Sequence, residues 1–201
     1  MMQQKGRSMV EMLGVLAIIA VLSAGGLAGY SRAMKQHKLN LHKTSFDMLL
    51  LNAVTLLDKT EDQPIQNASS LFYQLNLVPE HMTYQDNYIY DIFKNRIRIY
   101  YNQYSYYKGG ISLNFKNANE NIGACANMVQ SAQELSSEIW MLERTQEGSS
   151  TGYGARLFGD KFCTPSVTCL KNLTKQDMIN ICTYQSDNRD NFSFYILWGR
   201  V

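Results

Sequence analysis

Among the 17 carboxylates of this 201-residue chain, one has an unusual setting. Glu11 stands at the head of Met12–Tyr30 (MLGVLAIIAVLSAGGLAGY), nineteen residues without a charge. A carboxylate pushed to the middle of a bilayer costs up to about 3 kcal/mol, so a plain anchor gains nothing from one at its edge. A carboxylate that must neutralise a positive group brought by a partner would explain it. Four cysteines, Cys125, Cys163, Cys169 and Cys182, are the other reactive groups. An even number outside the cytoplasm reads as two disulfides, for which three pairings are possible. A zinc site of four thiolates would show pairs two to four residues apart, and these spacings do not match. His37 and His42 are five apart, not the three or four of a helical metal pair, and with His81 they read as surface residues. Asp187 and Asp190 read as a solvated turn rather than a calcium loop. No P-loop, GxSxG or HExxH occurs, and Gly152-Tyr153-Gly154 follows no strand and reads as loop. No enzymatic activity, metal or cofactor is therefore expected.

Other elements must present Glu11. At 1.5 Å per residue, Met12–Tyr30 makes about 28 Å of helix, the hydrocarbon thickness of a bilayer. Its rivals are a buried core helix and a cleaved secretory signal with Ser23-Ala24-Gly25 as the cleavage site. Composition is that of an ordered protein, with 45% hydrophobic and 18% charged residues. The net charge of +2 is too small for a general nucleic-acid binder, and no such partner is expected.

The segment Lys5-Gly6-Arg7-Ser8-Met9-Val10-Glu11-Met12-Leu13 resembles the type IV prepilin processing motif. In that family a basic leader ends in Gly, an inner-membrane prepilin peptidase cuts after it and methylates the new N-terminus, and Glu is the fifth mature residue before an apolar run. The resemblance implies a leader over 1–6, cleavage between Gly6 and Arg7, N-methylation of Arg7, and Glu11 as the assembly residue. It implies a helix first anchored in the inner membrane and then packed with its neighbours in a helical homo-oligomeric filament, with Glu11 paired to an adjacent subunit's amine. Arg7 departs from the pattern, which usually has Phe or Met there. On a helix Arg7 and Glu11 are i and i+4 and can pair within one chain, so Arg7 is expected to share Glu11 with the neighbouring amine.

Small residues gather late in the run. Gly25 and Gly29 have the spacing that lets helices approach closely, and Gly25-Gly26 is the candidate hinge, since two glycines cost about 2 kcal/mol of helix propensity. Lys5 and Arg7 precede the span while Arg32, Lys35, Lys38 and Lys43 follow it, a count that by itself favours a cytoplasmic C-terminus. The leader and the cysteines point the other way, and the C-terminal part is expected outside.

The helix is expected to continue over 31–59 as an amphipathic half. Leu39, Phe46, Leu50, Ala53 and Leu57 form its apolar stripe, and Lys38, Lys43 and Asn52 its polar face. Residues 60–201 are expected to form a globular head. Ala68–Leu77 reads as a short helix. Tyr88–Phe93 and Arg96–Tyr100 read as a hairpin turning at Lys94-Asn95, with Ile97 and Ile99 inward and Arg96 and Arg98 outward. Gly109-Gly110 punctuates before a strand at Ile111–Phe115. Asn121–Leu142 is helical by composition, Gln146–Asp160 a Gly/Ser-rich loop, Thr174-Lys-Gln-Asp177 a helix N-cap, and Phe192–Leu197 a last strand. Eight of the thirteen tyrosines fall between Tyr84 and Tyr107, and read mainly as sheet packing and surface aromatics.

The order of these elements is similar to the type IVb pilin class. That resemblance implies an α+β fold, with a long N-terminal helix on an antiparallel sheet. It also implies the pairing Cys125–Cys182, which leaves Cys163–Cys169. The expected function is a structural subunit of a type IV pilus or secretion pseudopilus. It would work with a prepilin peptidase and an inner-membrane assembly platform, first as a single-pass membrane protein and then as a surface or periplasmic filament. The alternatives are a minor tip pilin acting as an adhesin, or a membrane-anchored exported protein of another function.

Overall fold

The computed structural model describes residues 9–57, 64–104, 107–116, 118–146, 153–183 and 191–200. The expectations on Gly6, Arg7, Lys59, Asp187 and Asp190 lie outside the described residues, as does the side chain of Leu57. The first element is one helix, α1 (Met9–Leu57), with Glu11 in its first turn. Contacts divide the chain between Lys38 and Leu39.

In the part from Leu39 onward, α1 carries a buried stripe of Phe46, Leu49, Leu50 and Ala53. Its three- and four-residue spacings put these side chains on one face. That face joins the core formed by a seven-stranded antiparallel sheet. The strands are β1 (Thr83–Gln85), β2 (Tyr88–Tyr90), β3 (Arg96–Tyr104), β4 (Tyr107–Phe115), β5 (Ile139–Gln146), β6 (Tyr153–Phe158) and β7 (Phe192–Arg200), in the order β1-β2-β3-β4-β7-β5-β6. The last strand is thus inserted between β4 and β5, and it pairs with both. Three further helices complete the fold: α2 (Ser69–Gln74), α3 (Ala118–Glu134) and α4 (Lys175–Thr183).

Alternation along the strands sets the inner face. Ile97 and Ile99 on β3, Ile111 and Leu113 on β4, and Phe194 and Ile196 on β7 are fully buried. Arg96 and Arg98 point the other way, as the period of two requires. The Tyr101 hydroxyl donates to the Ala53 carbonyl of α1 at 3.0 Å, which fixes the helix against β3. Burial pushes the Tyr101 hydroxyl well above the usual phenol range and keeps it a donor.

Gly109 and Gly110 do not precede a strand; they lie inside β4. A Cβ on Gly109 would come within 2.6 Å of the Trp198 indole, and one on Gly110 within 2.6 Å of the Tyr100 ring. The two residues face opposite sides of the sheet. The pair therefore makes room for one aromatic on each face. On the inner side Tyr101 and Trp198 meet edge-on across Gly109, with ring centroids 6.3 Å apart.

Three other expectations need correction. The helix read as Asn121–Leu142 ends at Glu134, and Ile139–Leu142 opens β5. Composition hid this boundary. Turns at Leu135–Glu138 end the helix, and the β-branched and aromatic run Ile139-Trp140 starts a strand. The stretch read as loop over Gln146–Asp160 contains β6, so Tyr153 and Gly154 are strand residues. Its alternating Tyr153, Ala155 and Leu157 lay beside a glycine-rich segment that masked them. Lastly, Asp91, Ile92 and Phe93, read as strand, belong to a turn that closes with the Lys94 amide on the Asp91 carbonyl. Asp91 Oδ1 accepts from the Phe93 and Asn95 amides, each at 2.8 Å, and Lys94 takes a positive φ of 66°.

Cys125 of α3 bonds to Cys182 of α4 with Cα atoms 5.8 Å apart, and Cys163 bonds to Cys169 with Cα atoms 5.4 Å apart. Thr174 caps α4. Its hydroxyl donates to Asp177 Oδ2 at 2.6 Å and accepts from the Asp177 amide at 3.2 Å. These hydrogen bonds from Thr174 hold the Asp177 carboxyl below the usual carboxylate range.

Candidate functional site

The first part of α1 is apolar on every side. Leu13, Leu16, Ile18, Ile19, Val21 and Leu22 cover all directions around a helix advancing 100° per residue, and each is between 53% and 73% exposed. Burying one such side chain fully stabilises a structure by about 1.5–3 kcal/mol. About five turns of exposed hydrocarbon call for an apolar environment, supplied by lipid or by other helices. Among the described residues this is the one helix long and apolar enough to cross a membrane.

Glu11 sits in the first turn of this helix, where the positive end of the helix dipole favours a carboxylate. A carboxylate at that end and hydrocarbon over the next five turns give a rod that is both insoluble and polarised. Such a rod can cross a bilayer with its acid at the interface. It can equally pack against copies of itself, provided the acid meets a cation. Gly25, Gly26 and Gly29 lie within the continuous helix, and a Cβ on any of them would meet nothing within 4 Å. No packing inside the chain demands these glycines. Their small size is left for close approach by another helix or for helix bending.

From Leu39 the helix is held by polar bonds as well as by its stripe. His42 is buried, contrary to its reading as a surface residue. Its place explains this, since 39, 42, 46, 49 and 53 share one helix face. His42 Nε2 stands 3.1 Å from Asp91 Oδ2, and both side chains are fully buried. Asp91 also accepts from the Phe93 and Asn95 amides and from Asn95 Nδ2 at 2.9 Å. Asn95 Nδ2 donates in turn to Asn121 Oδ1 of α3. Asn127 of α3 donates from Nδ2 to the Leu39 carbonyl at 2.7 Å, and the same nitrogen lies 3.5 Å from His42 Nδ1. That carbonyl fixes the amide's orientation, so His42 accepts on Nδ1 and carries its proton on Nε2, toward Asp91. His37 and His81 are exposed as expected.

A second tie is nearer the surface. Lys43 Nζ reaches Asp47 at 2.7 Å and Glu134 of α3 at 2.6 Å. Burial alone would lower the Lys43 pKa, but its bonds to Asp47 and Glu134 outweigh burial and raise it. The bond from Lys43 likewise lowers Glu134. A raised lysine stabilises the fold below its unfolded pKa, and a lowered glutamate above its own. This tie is therefore complete from weakly acidic to weakly basic pH and fades outside that window.

Truncating His42 leaves a buried carboxylate one donor short. His42→Ala is expected to lower unfolding free energy by about 3 kcal/mol, from the lost hydrogen bond to a buried carboxylate and the cavity the ring leaves. Urea melts read by circular dichroism would check this, and a loss below about 1 kcal/mol would show that the ring only fills space.

The expected site residues thus fall in separate places. Glu11, Gly25 and Gly26 lie on the first part of α1, and both disulfides belong to the part from Leu39 onward. Among the described residues no group of three or more His, Cys, Asp or Glu could hold a metal ion. The His42–Asp91 network was missed by sequence reasoning, although His42 occupies a position of the apolar stripe that the same reasoning had drawn.

No family model matches the chain, and no curated protein matches it. Its structure is similar to the crystal structure of a type IV b pilin from Salmonella typhi, with a TM-score of 0.49 and 8% sequence identity over 79% of this chain and 97% of that one.

Proposed function

We propose that this chain is a subunit of an extracytoplasmic filament of the type IV pilus or pseudopilus kind, assembled through the N-terminal half of α1. The supporting observation is the exposed apolar helix with Glu11 in its first turn, placed five residues after Gly6. In this reading an inner-membrane prepilin peptidase cuts between Gly6 and Arg7 and methylates Arg7. The helix then waits in the bilayer, with the part from Leu39 onward outside. An assembly platform extracts it, and neighbouring helices replace lipid around Leu13–Leu27. Burial of a carboxylate among those helices is tolerated where a cation meets it. The amine of an adjacent subunit, together with Arg7, supplies that cation and selects one axial register. Contacts of this head-to-tail type do not close, and so they build a filament rather than a ring. Gly25-Gly26 is the point where the packed helix would stretch.

Mass spectrometry of the protein taken from membranes of a host bearing a prepilin peptidase tests the reading. Loss of residues 1–6 and a gain of one methyl group on Arg7 are expected. An intact N-terminus, or a cut near Gly25, would overturn it.

A further inference from the structure

We propose that the outer face of β2, β3, β4 and β7 is a binding site for a carboxylate-bearing saccharide. Two adjoining hollows mark it, of about 230 Å³ and 220 Å³. They share Arg96 and Asn114, directly paired across β3 and β4. The first is completed by Arg98, Ser112, Tyr88 and Tyr195, and the second by Lys94, Lys116, Tyr90, Asn191 and Ser193, with the edges of the buried Phe115 and Phe192 at its floor.

Charge selects an anion. Four cations line the two hollows, and among the described residues no carboxylate does. Among the described residues none of the four forms an ion pair. The nearest acid along the Arg98–Ser112–Tyr195 row is Glu143 of β5, already held by Arg156 at 2.8 Å. Three strand spacings separate Glu143 from Arg98, about 14 Å, well beyond the roughly 8 Å screening length at physiological salt. Among the described residues of this face the cations are therefore left for a ligand.

Preorganisation selects a carboxylate. The Arg96 guanidinium lies 4.8 Å over the Tyr88 ring, and that of Arg98 lies 5.4 Å over the Tyr100 ring. Stacking restricts the two planar forks, which lowers the entropy lost when each takes a carboxylate by two parallel hydrogen bonds. The same stacking disfavours nucleic acid. A base needs a free aromatic face, and of the tyrosines that line the hollows Tyr88 is already covered by the Arg96 guanidinium.

The remaining groups select a sugar. Asn114, Ser112, Ser193 and the phenol of Tyr195 offer both donors and acceptors side by side, which suits a ring of hydroxyls. Each hollow is smaller than the roughly 300–1,000 Å³ of a drug-sized pocket. The pair suits two linked sugar units better than one bulky ligand. The sources of such a carboxylate are a terminal sialic acid or an internal uronic acid.

The test uses the full chain in detergent micelles, so it does not depend on filament formation or on cleavage at Gly6. Titration calorimetry with 3′-sialyllactose and with a hyaluronan tetrasaccharide is expected to show binding of at least one, and none of lactose. Arg96→Gln and Arg98→Gln are each expected to weaken it roughly tenfold, the scale of a lost charge-assisted hydrogen bond. Lys171→Gln, which removes an exposed cation elsewhere, should leave binding unchanged, and all three variants should melt like the parent. The proposal fails if neither acidic sugar binds, or if lactose binds as well. It fails also if oligothymidylate or polyglutamate binds more tightly, or if the arginine variants behave like Lys171→Gln.

Discussion

Glu11→Ala is expected to abolish filaments while leaving cleavage after Gly6 intact. Two consequences of the substitution act in the same direction. In the membrane the helix loses its one charge between Met9 and Tyr30, so the lipid-held subunit becomes harder to extract. In the filament the neighbouring amine and Arg7 lose their counter-charge. Leaving a buried ion without its partner costs about 3–5 kcal/mol. In an association constant that is a factor of roughly 10² to 10⁴ per contact. Sheared filaments, quantified by immunoblot and electron microscopy beside the cell-bound pool, would read the effect. The cell-bound protein should be fully processed and at least as abundant as the parent. Fibre yield within twofold of the parent would show that the acid does not set register.

The second large effect concerns the bond between Cys125 and Cys182, which closes a loop of 57 residues. The chain-entropy account assigns such a closure about 4 kcal/mol, against about 2 kcal/mol for a loop of the size of Cys163–Cys169. Packing makes the contrast sharper. Helix α4 has nine residues and buries only Met178 and Cys182. Without the bond, one of its two buried side chains loses its covalent hold on α3. The Cys125→Ser/Cys182→Ser double variant is expected to melt roughly 10 °C lower, and Cys163→Ser/Cys169→Ser about half as far. Thermal melts with and without reductant would decide, and equal shifts for the two variants would refute the loop-length ordering.

Legibility in the sequence tracked how local the physics is. The helix over Met9–Leu57 could be read because it depends on composition and on a period visible within a few turns. The cap at Thr174 and Asp177 lies within four residues, and it too was readable. Strand β7 was found, but nothing in Phe192–Arg200 says that it lies between β4 and β5. That order depends on pairings more than 45 residues away. Gly109-Gly110 looked like punctuation because the reason for it, the bulk of Trp198 and Tyr100, lies on other strands. β6 was hidden by the glycines and serines that precede it. His42 was misread as exposed because a histidine on an apolar stripe becomes intelligible only once Asp91, 49 positions later, stands opposite it. For the candidate sites the division is similar. Glu11 and its apolar run are contiguous and were found, whereas the arginine hollows need four strands in register.

The polar bond at His42 also bears on mechanical load. A stripe of Phe46, Leu49, Leu50 and Ala53 repeats about once per turn, so sliding the helix by 5.4 Å would bring similar hydrocarbon into similar hollows. Grease alone is a poor ratchet stop. The imidazole has no equivalent one turn away in either direction, because Leu39 and Phe46, its neighbours on the stripe, carry no side-chain donor for Asp91. In the filament proposed above, a pull along α1 would load this bond, which lies at the start of the buried stripe. Slippage would then start with rupture of a single buried polar bond rather than with gradual creep.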